Sequence, residues 1–263
     1  MTNSTNKEIK NNCTTSLQSR VPLFQATLKP VMLNNEQFKT AWGSVEIHGR
    51  LGQVHANVLE ALLFASEKNV SDENGLTKIL VDPYQVRIRA KVNNNTQLKK
   101  IMTELMAAVI TIQDNNSKFK FQTGHLIDTF SEAKNSNGET IEVHNKASKL
   151  KNANAKTRSM WTIKIGASLR ELLNNDFNIS RDPQAIASIK SGVCQAVLRH
   201  CLTHSKKQFN GMLIDTLIRI VCGGASKGLS QTEMRNRRRE LRRGAGAMMK
   251  LGVAVNEKNV TLA

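Results

Sequence analysis

Residues 230–250 read Ser-Gln-Thr-Glu-Met-Arg-Asn-Arg-Arg-Arg-Glu-Leu-Arg-Arg-Gly-Ala-Gly-Ala-Met-Met-Lys, and no other stretch restricts so sharply what this chain can become. Ser230 and Glu233 stand at capping-box spacing, where the hydroxyl accepts the backbone N–H three residues on and the carboxylate reaches back. The pair predicts a helix start. Advancing 100° per residue gathers Met234, Leu241, Ala245 and Met248 into an apolar stripe suited to a core. Arg235, Arg239 and Arg242 fall on a neighbouring face, flanked by Arg238 and Arg243; Arg237 completes a set of six against only Glu233 and Glu240. A merely solvated face mixes Lys with Glu at i,i+4 for about 0.2–0.5 kcal/mol per pair, and this one hardly mixes. Arginine carries a rigid fork of donors matched to phosphate and to guanine O6/N7. The face therefore points to a polyanion, with an acidic protein partner as the other reading. Gly244 and Gly246 each cost about 1 kcal/mol in a helix interior. The last turn is accordingly expected to bend or stop early, and base contacts are expected from 235–242.

Charge outside this helix agrees. The 263 residues carry 38 Lys and Arg against 21 Asp and Glu, a net charge of +17, as suits a protein that touches many phosphates. A membrane surface is the competing anionic partner, but no apolar run approaches the 18 or so residues of a spanning helix. Residues 1–20 lack the apolar segment of a secretory signal, so no membrane association is expected, and the location is expected to be cytoplasmic, in association with a bacterial nucleoid or plasmid. The four cysteines, Cys13, Cys194, Cys201 and Cys222, are too few and scattered for a disulfide framework.

Along the chain, residues 1–20 are polar and expected to be disordered. Val45-Glu46-Ile47 predicts a short strand, and the recurrence of Val54, Val58, Ala61, Leu62 and Ala65 a helix. A strand over 76–81 leads to Asp82-Pro83, an N-cap before a proline at the first helical position, and a short helix to 91. A helix over 96–108 buries Leu98, Ile101 and Leu105. Residues 109–112 and 118–121 flank a turn as a hairpin, and 125–130 is a further strand. Residues 131–157 are polar and read as a linker or mobile excursion. Order resumes with a strand at 159–165 and a short helix near 168–173. Asp182-Pro183 then opens a helix carrying Ile186, Ile189, Val193, Val197 and Cys201 on one stripe. An apolar helix over 211–221, a glycine-rich turn, the arginine helix and a hairpin at 252–262 close the chain. The first half reads helix, strand, helix, helix, hairpin and the second repeats it in outline, which predicts an α+β fold of two tandem winged-helix domains, 21–130 and 158–263.

His200, Cys201 and His204 lie within five positions, but no Cys-x2-Cys pair and no glutamate after His200 accompany them, so a core thiol at a helix end is preferred to zinc. The turn 223–230 nearly matches a P-loop, yet Leu229 stands where the motif needs lysine. Tyr84 has no histidine pair beside it. No nucleophile with a base and no carboxylate cluster emerges, so the chain is expected to be a binding protein without enzymatic activity, metal or other cofactor. Aromatic residues are too sparse for a single-strand stacking platform, and duplex DNA is the expected ligand. Base edges would be met by Arg235, Arg239 and Arg242, with Arg237, Arg238, Arg243, Gln231 and Lys227 beside them. Asn94, Asn95, Gln97, Lys99 and Lys100 of the first domain would make a weaker, phosphate-directed contact, and Lys118 and Lys120 would serve as wing contacts.

The segments 51–62, 189–197 and 214–218, together with the arginine stretch 234–241, resemble plasmid replication initiators with two winged-helix domains and are most similar to those of the TrfA type. The resemblance spans roughly 21–255. It implies binding to direct repeats (iterons) at an origin, opening of an adjacent AT-rich segment, and recruitment of the host initiator and replicative helicase. It also implies that the two modules occupy successive grooves of one repeat, and that a homodimer represses while monomers initiate. A winged-helix transcriptional repressor without a replication role is the alternative that the residues leave open.

Overall fold

The computed structural model describes residues 12–15, 19, 21–39, 43–72, 75–114, 122–143, 157–176, 178–204, 211–223 and 228–262. Three strands precede the first long helix: β1 (Asn12–Thr15), β2 (Leu33–Lys39) and β3 (Gly43–Gly49). Along β3, buried and half-buried residues alternate, the period of two that Val45-Glu46-Ile47 announces. Part of the polar N-terminal stretch departs from the expected disorder. Residues 12–15 pair antiparallel with 178–180, and Thr14, Thr15 and Ser19 are buried.

Helix α1 (Gln53–Phe64) is buried almost all round, with ten buried residues. A hairpin of β4 (Ser66–Asp72) and β5 (Gly75–Val81) follows. Asp82 then caps α2 (Pro83–Arg89), its side chain accepting the Tyr84 N–H at 2.9 Å. Asn94 does the same for α3 (Asn95–Ala107), accepting from Gln97 N–H at 2.8 Å. His55 ties α3 to α1. Its Nδ1 accepts the Gly52 N–H at 3.1 Å, so Nε2 carries the proton it donates to Glu104 at 2.8 Å. Burial holds this imidazole below its ordinary pKa although Glu104 pulls the other way. The neutral form is thereby fixed in that tautomer.

The expected hairpin forms from β6 (Val109–Asp114) and β7 (Gln122–His125), with Val109 opposite His125 and Ile112 opposite Gln122. The described part of its second arm is 122–125, and the expected arm at 118–121 lies outside the described residues. It extends β2 and β3 into one four-stranded sheet, β2-β3-β6-β7.

The tract 131–157, expected as a linker or mobile excursion, leaves and re-enters a single sheet. β8 (Ile127–Glu132) runs into it, and Asn135 accepts the N–H groups of Asn137 and Glu139 to close a turn at Gly138. β9 (Glu142–Val143) then pairs with β10 (Arg158–Ser159), leaving 144–156 outside the described residues. β11 (Trp161–Ile165) inserts between β5 and β8, giving the sheet β4-β5-β11-β8. With α4 (Ala167–Asn175) it buries Trp161, Ile163, Ile165, Leu169 and Leu172 in the first core. These two elements, expected to open the second domain, belong structurally to the first. Alternation marks 161–165 as a strand but cannot say which sheet receives it.

β12 (Asn178–Ser180) partners β1. The single helix expected after Asp182-Pro183 is two: α5 (Pro183–Ala187) and α6 (Gly192–Cys201). Ser191 restarts the helix by accepting the Cys194 N–H at 3.3 Å. Gly192 packs so tightly that a Cβ there would lie 2.5 Å from Thr27 Cα. β13 (Met212–Leu213), α7 (Ile214–Cys222), α8 (Gln231–Met249), β14 (Val253–Val255) and β15 (Asn259–Leu262) complete a smaller second core with sheet order β13-β15-β14. The fold is thus mixed α+β around two hydrophobic cores.

Between the cores the contact is polar. Gln53, Asn57 and Glu60 occupy one face of α1 at i, i+4 and i+7, and Arg199 of α6 reaches all three. Its guanidinium donates to Gln53 Oε1 at 2.6 Å, Asn57 Oδ1 at 2.6 Å and both Glu60 oxygens at 3.0 and 3.1 Å. Arg181 adds a bond to Glu60 Oε1 at 2.6 Å. Arg199 and Glu60 are each 3% exposed, so this is a buried ionic seam that fixes how one unit faces the other.

Candidate nucleic-acid interface

The arginine helix begins as its sequence requires: Glu233 N–H donates to Ser230 Oγ at 3.2 Å, and Ser230 N–H to Glu233 Oε2 at 2.8 Å. Met234, Leu241 and Met248 are buried, and Ala245 is half-buried. The helix does not stop at its glycines but runs 19 residues to Met249. At Gly244 the reason is contact: a Cβ there would stand 2.3 Å from Cys194 Sγ, so the missing side chain lets α6 cross at close range. Gly246 meets nothing. Glu240 strengthens the crossing, accepting from Ser191 Oγ at 3.1 Å.

Anchoring of the apolar stripe sorts the six arginines. Arg235, Arg239, Arg242 and Arg243 are exposed, and none forms an ion pair among the described residues. Together with Thr232, Asn236 and Arg238 they line a shallow depression along the helix. Arg242 also reaches the turn between β14 and β15, donating to the Glu257 carbonyl at 3.4 Å. Arg237 and Arg238 are engaged already, the first with Glu240 at 3.2 Å, the second through two nitrogens with both oxygens of Asp215. That bidentate contact, outweighing slight burial, holds the Asp215 carboxyl below its usual range. Gln231 is exposed in the first turn, whereas Lys227 lies outside the described residues.

The comparisons bear on this frame. No protein-family model matches the chain, and no curated protein does. Among solved structures, the crystal structure of selenomethionine derivatives of domains 2 and 3 of RctB superposes with a TM-score of 0.53 at 11% identity, covering 95% of this chain and 98% of that one. The chain shares the fold of RctB domains 2 and 3. A second crystal structure of those domains gives a TM-score of 0.45 at 11% identity over 93% and 94% of the two chains. Among the described residues, no helix is long and apolar enough to cross a membrane.

In the first unit the residues expected to meet phosphate gather at the start of α3. Asn94, Asn95, Gln97, Lys99 and Lys100 are all exposed, while Asn94 is committed to the cap and Gln97 accepts from Asn93 N–H at 3.4 Å. Asn94, Asn95 and Lys99 share a groove with Tyr84, Arg87, Arg158 and Trp161. Both guanidiniums sit against the Tyr84 ring, Arg158 at 4.6 Å and Arg87 at 5.3 Å. Arg158 is further held by Asp82 Oδ2 at 2.7 Å. Sequence reading missed Arg87 and Arg158, because Arg158 comes from the far end of the 133–160 excursion. Lys118 and Lys120 lie outside the described residues.

His200 and His204 face each other with ring centroids 5.3 Å apart, and His200 is 5% exposed. Burial alone pushes the Cys201 thiol up to about 12, which leaves it protonated and unreactive at neutral pH.

Proposed function

We propose that this chain is a sequence-specific duplex-DNA-binding replication initiator. The observation that carries the reading is the row Arg235, Arg239, Arg242, Arg243: exposed, outside any ion pair among the described residues, and mounted on a helix whose other face is fixed in a core. Such a row offers bidentate donors to base edges in a major groove, each good pair contributing about 1–3 kcal/mol of discrimination. The fold shared with domains 2 and 3 of RctB, a replication initiator, supports the same class.

We read each unit as a winged-helix module. Supporting this, α1-β5-α2-α3-β8-β11 and α6-β13-α7-α8-β14-β15 follow the same order, and in both the last strand lies between the other two, as β5-β11-β8 and β13-β15-β14. On this reading α8 enters the major groove and the β14–β15 turn contacts backbone. The wing of the first module is then the excursion between β8 and β11, not the 109–125 hairpin. The origin repeats are iterons of a plasmid, as the TrfA-type resemblance implies, and bound protein opens the adjacent duplex and recruits the host initiator and helicase. It acts by binding, without strand cleavage.

The deciding experiment places the gene and its flanking DNA on a replicon that lacks an initiator. Establishment of the plasmid, lost with Arg239→Ala, is the expected result; failure to establish while the purified protein still binds one inverted repeat at a promoter would leave a repressor. Supercoiled DNA incubated with the protein and Mg²⁺ or Mn²⁺ should stay intact.

A further inference from the structure

The carboxylate of Asp215 stands beside a surface that otherwise collects arginine. It belongs to α7, 23 residues before its partner Arg238. The acids of α8 itself are occupied elsewhere: Glu233 closes the cap, and Glu240 braces the helix on Ser191 while pairing Arg237. Arg238 lies at a junction. It lines the depression shared with Arg235, Arg239 and Arg242, and also the cleft toward the β14–β15 turn, shared with Leu213, Asp215, Arg242 and Lys258.

Stability does not explain the pair. Both side chains are more than two-fifths exposed, at 41% and 46%, and exposed ion pairs contribute little to folding. A negative charge in a phosphate-facing cleft should also weaken DNA binding by repulsion. What the pair does supply is orientation. Two nitrogens of one guanidinium donating to two oxygens fix the plane of the fork, and its Nη1 donates in neither of these two bonds.

We infer that Asp215 is a positioning residue for sequence reading: it holds Arg238 in the orientation that suits a base edge and keeps that guanidinium from neutralising backbone phosphate. This rests on the duplex-binding reading above. Asp215 thus trades general affinity for selectivity.

Two measurements on the full chain test it. The first is the salt dependence of binding to a random-sequence duplex of about 30 base pairs, roughly three helical turns. Releasing Arg238 in Asp215→Asn should steepen the slope of log K against log salt by about 0.9, one extra phosphate contact, and tighten binding at low salt. The second is selection from a randomised duplex library. Asp215→Asn should yield a weaker consensus than the wild-type chain, and Arg238→Lys, which keeps the charge but loses the fork, should weaken the consensus without altering the slope by a full contact. Unchanged slope and consensus in Asp215→Asn, with the wild-type chain binding DNA, would overturn the role of Asp215 and leave the duplex-binding reading standing. A wild-type chain that binds no duplex at any salt overturns both. A consensus that survives Arg238→Lys refutes the positioning role even if Asp215→Asn proves poorly folded.

Discussion

Helices α3 and α8 occupy matching places in their two units. Each follows a shorter helix, each is capped by a side-chain oxygen, and each precedes the last two strands of its sheet. Their exposed faces differ in kind. α3 presents Thr96, Lys99, Lys100 and Thr103, whereas α8 presents Arg235, Arg239, Arg242 and Arg243. Lysine is a strongly hydrated point charge that suits a phosphate without demanding geometry, while arginine rewards a planar, two-acceptor partner. On the proposed reading the same scaffold carries one face that holds DNA and one that reads it. The cation-rich groove beside α3, with Arg87 and Arg158 clasping Tyr84, adds charge to the first kind of contact and no reading row.

The largest test concerns the seam that makes the two faces one body. Arg199→Ala removes the four hydrogen bonds to α1 and strips Glu60 of one of two arginines, so it should destabilise the chain by about 3–5 kcal/mol in urea unfolding. Two separated unfolding transitions would show that the units hold together through this residue. The pH dependence has a definite sign. Burial alone would raise the Glu60 pKa, but the charges and hydrogen bonds of Arg181 and Arg199 outweigh it and hold the carboxyl below the ordinary value of 4.5. A folded-state pKa below the unfolded one gives stability that is full above the unfolded value and lost as pH falls through the folded value. The urea midpoint should therefore drop on acidification below about pH 4.5, and Glu60→Gln, less stable at neutral pH, should lose less on the same descent.

Next in size are the helix faces. Gly244→Ala forces a methyl to 2.3 Å from Cys194 Sγ, and overpacking of this kind costs about 1–3 kcal/mol. Loss of thermal stability together with DNA binding is the expected outcome, since α8 is then pushed off α6. Arg239→Ala should cost about 1–3 kcal/mol on preferred DNA and relax selection at one base pair. Lys99→Ala should instead weaken all duplexes alike and lower the salt slope by about 0.9. Equal losses on preferred and random DNA for both variants would erase the contrast between the helices. Smallest is Gly246→Ala, which faces open space and should stabilise the helix by up to about 1 kcal/mol. Its sign against Gly244→Ala checks the packing directly in a melting experiment.

Local chemistry was legible wherever neighbours in sequence are also neighbours in space. Ser230 with Glu233, Asp82 with Pro83, and Asp182 with Pro183 act within one helical turn, and each works as its spacing requires. The buried stripe of α8 was equally plain. Local patterns stop deciding where one pattern serves two outcomes. The stripe from Ile186 to Cys201 fits one helix or two, and Ser191-Gly192 decides for two because the chain at Thr27 needs the space. The polar 131–157 tract fits a linker or an excursion, and the insertion of β11 beside β5 decides for an excursion.

The sequence by itself determined that a cationic amphipathic helix exists, where it starts and which residues it buries, because these follow from a repeat of 3.6 residues and from charge. Only the tertiary structure decided which of the six arginines stay outside ion pairs, since the carboxylate that takes Arg238 arrives from α7. The same holds for Arg199, whose three acceptors sit 139 to 146 residues away on α1. Pairing across such separations depends on how two cores dock, and no local period or spacing carries that information.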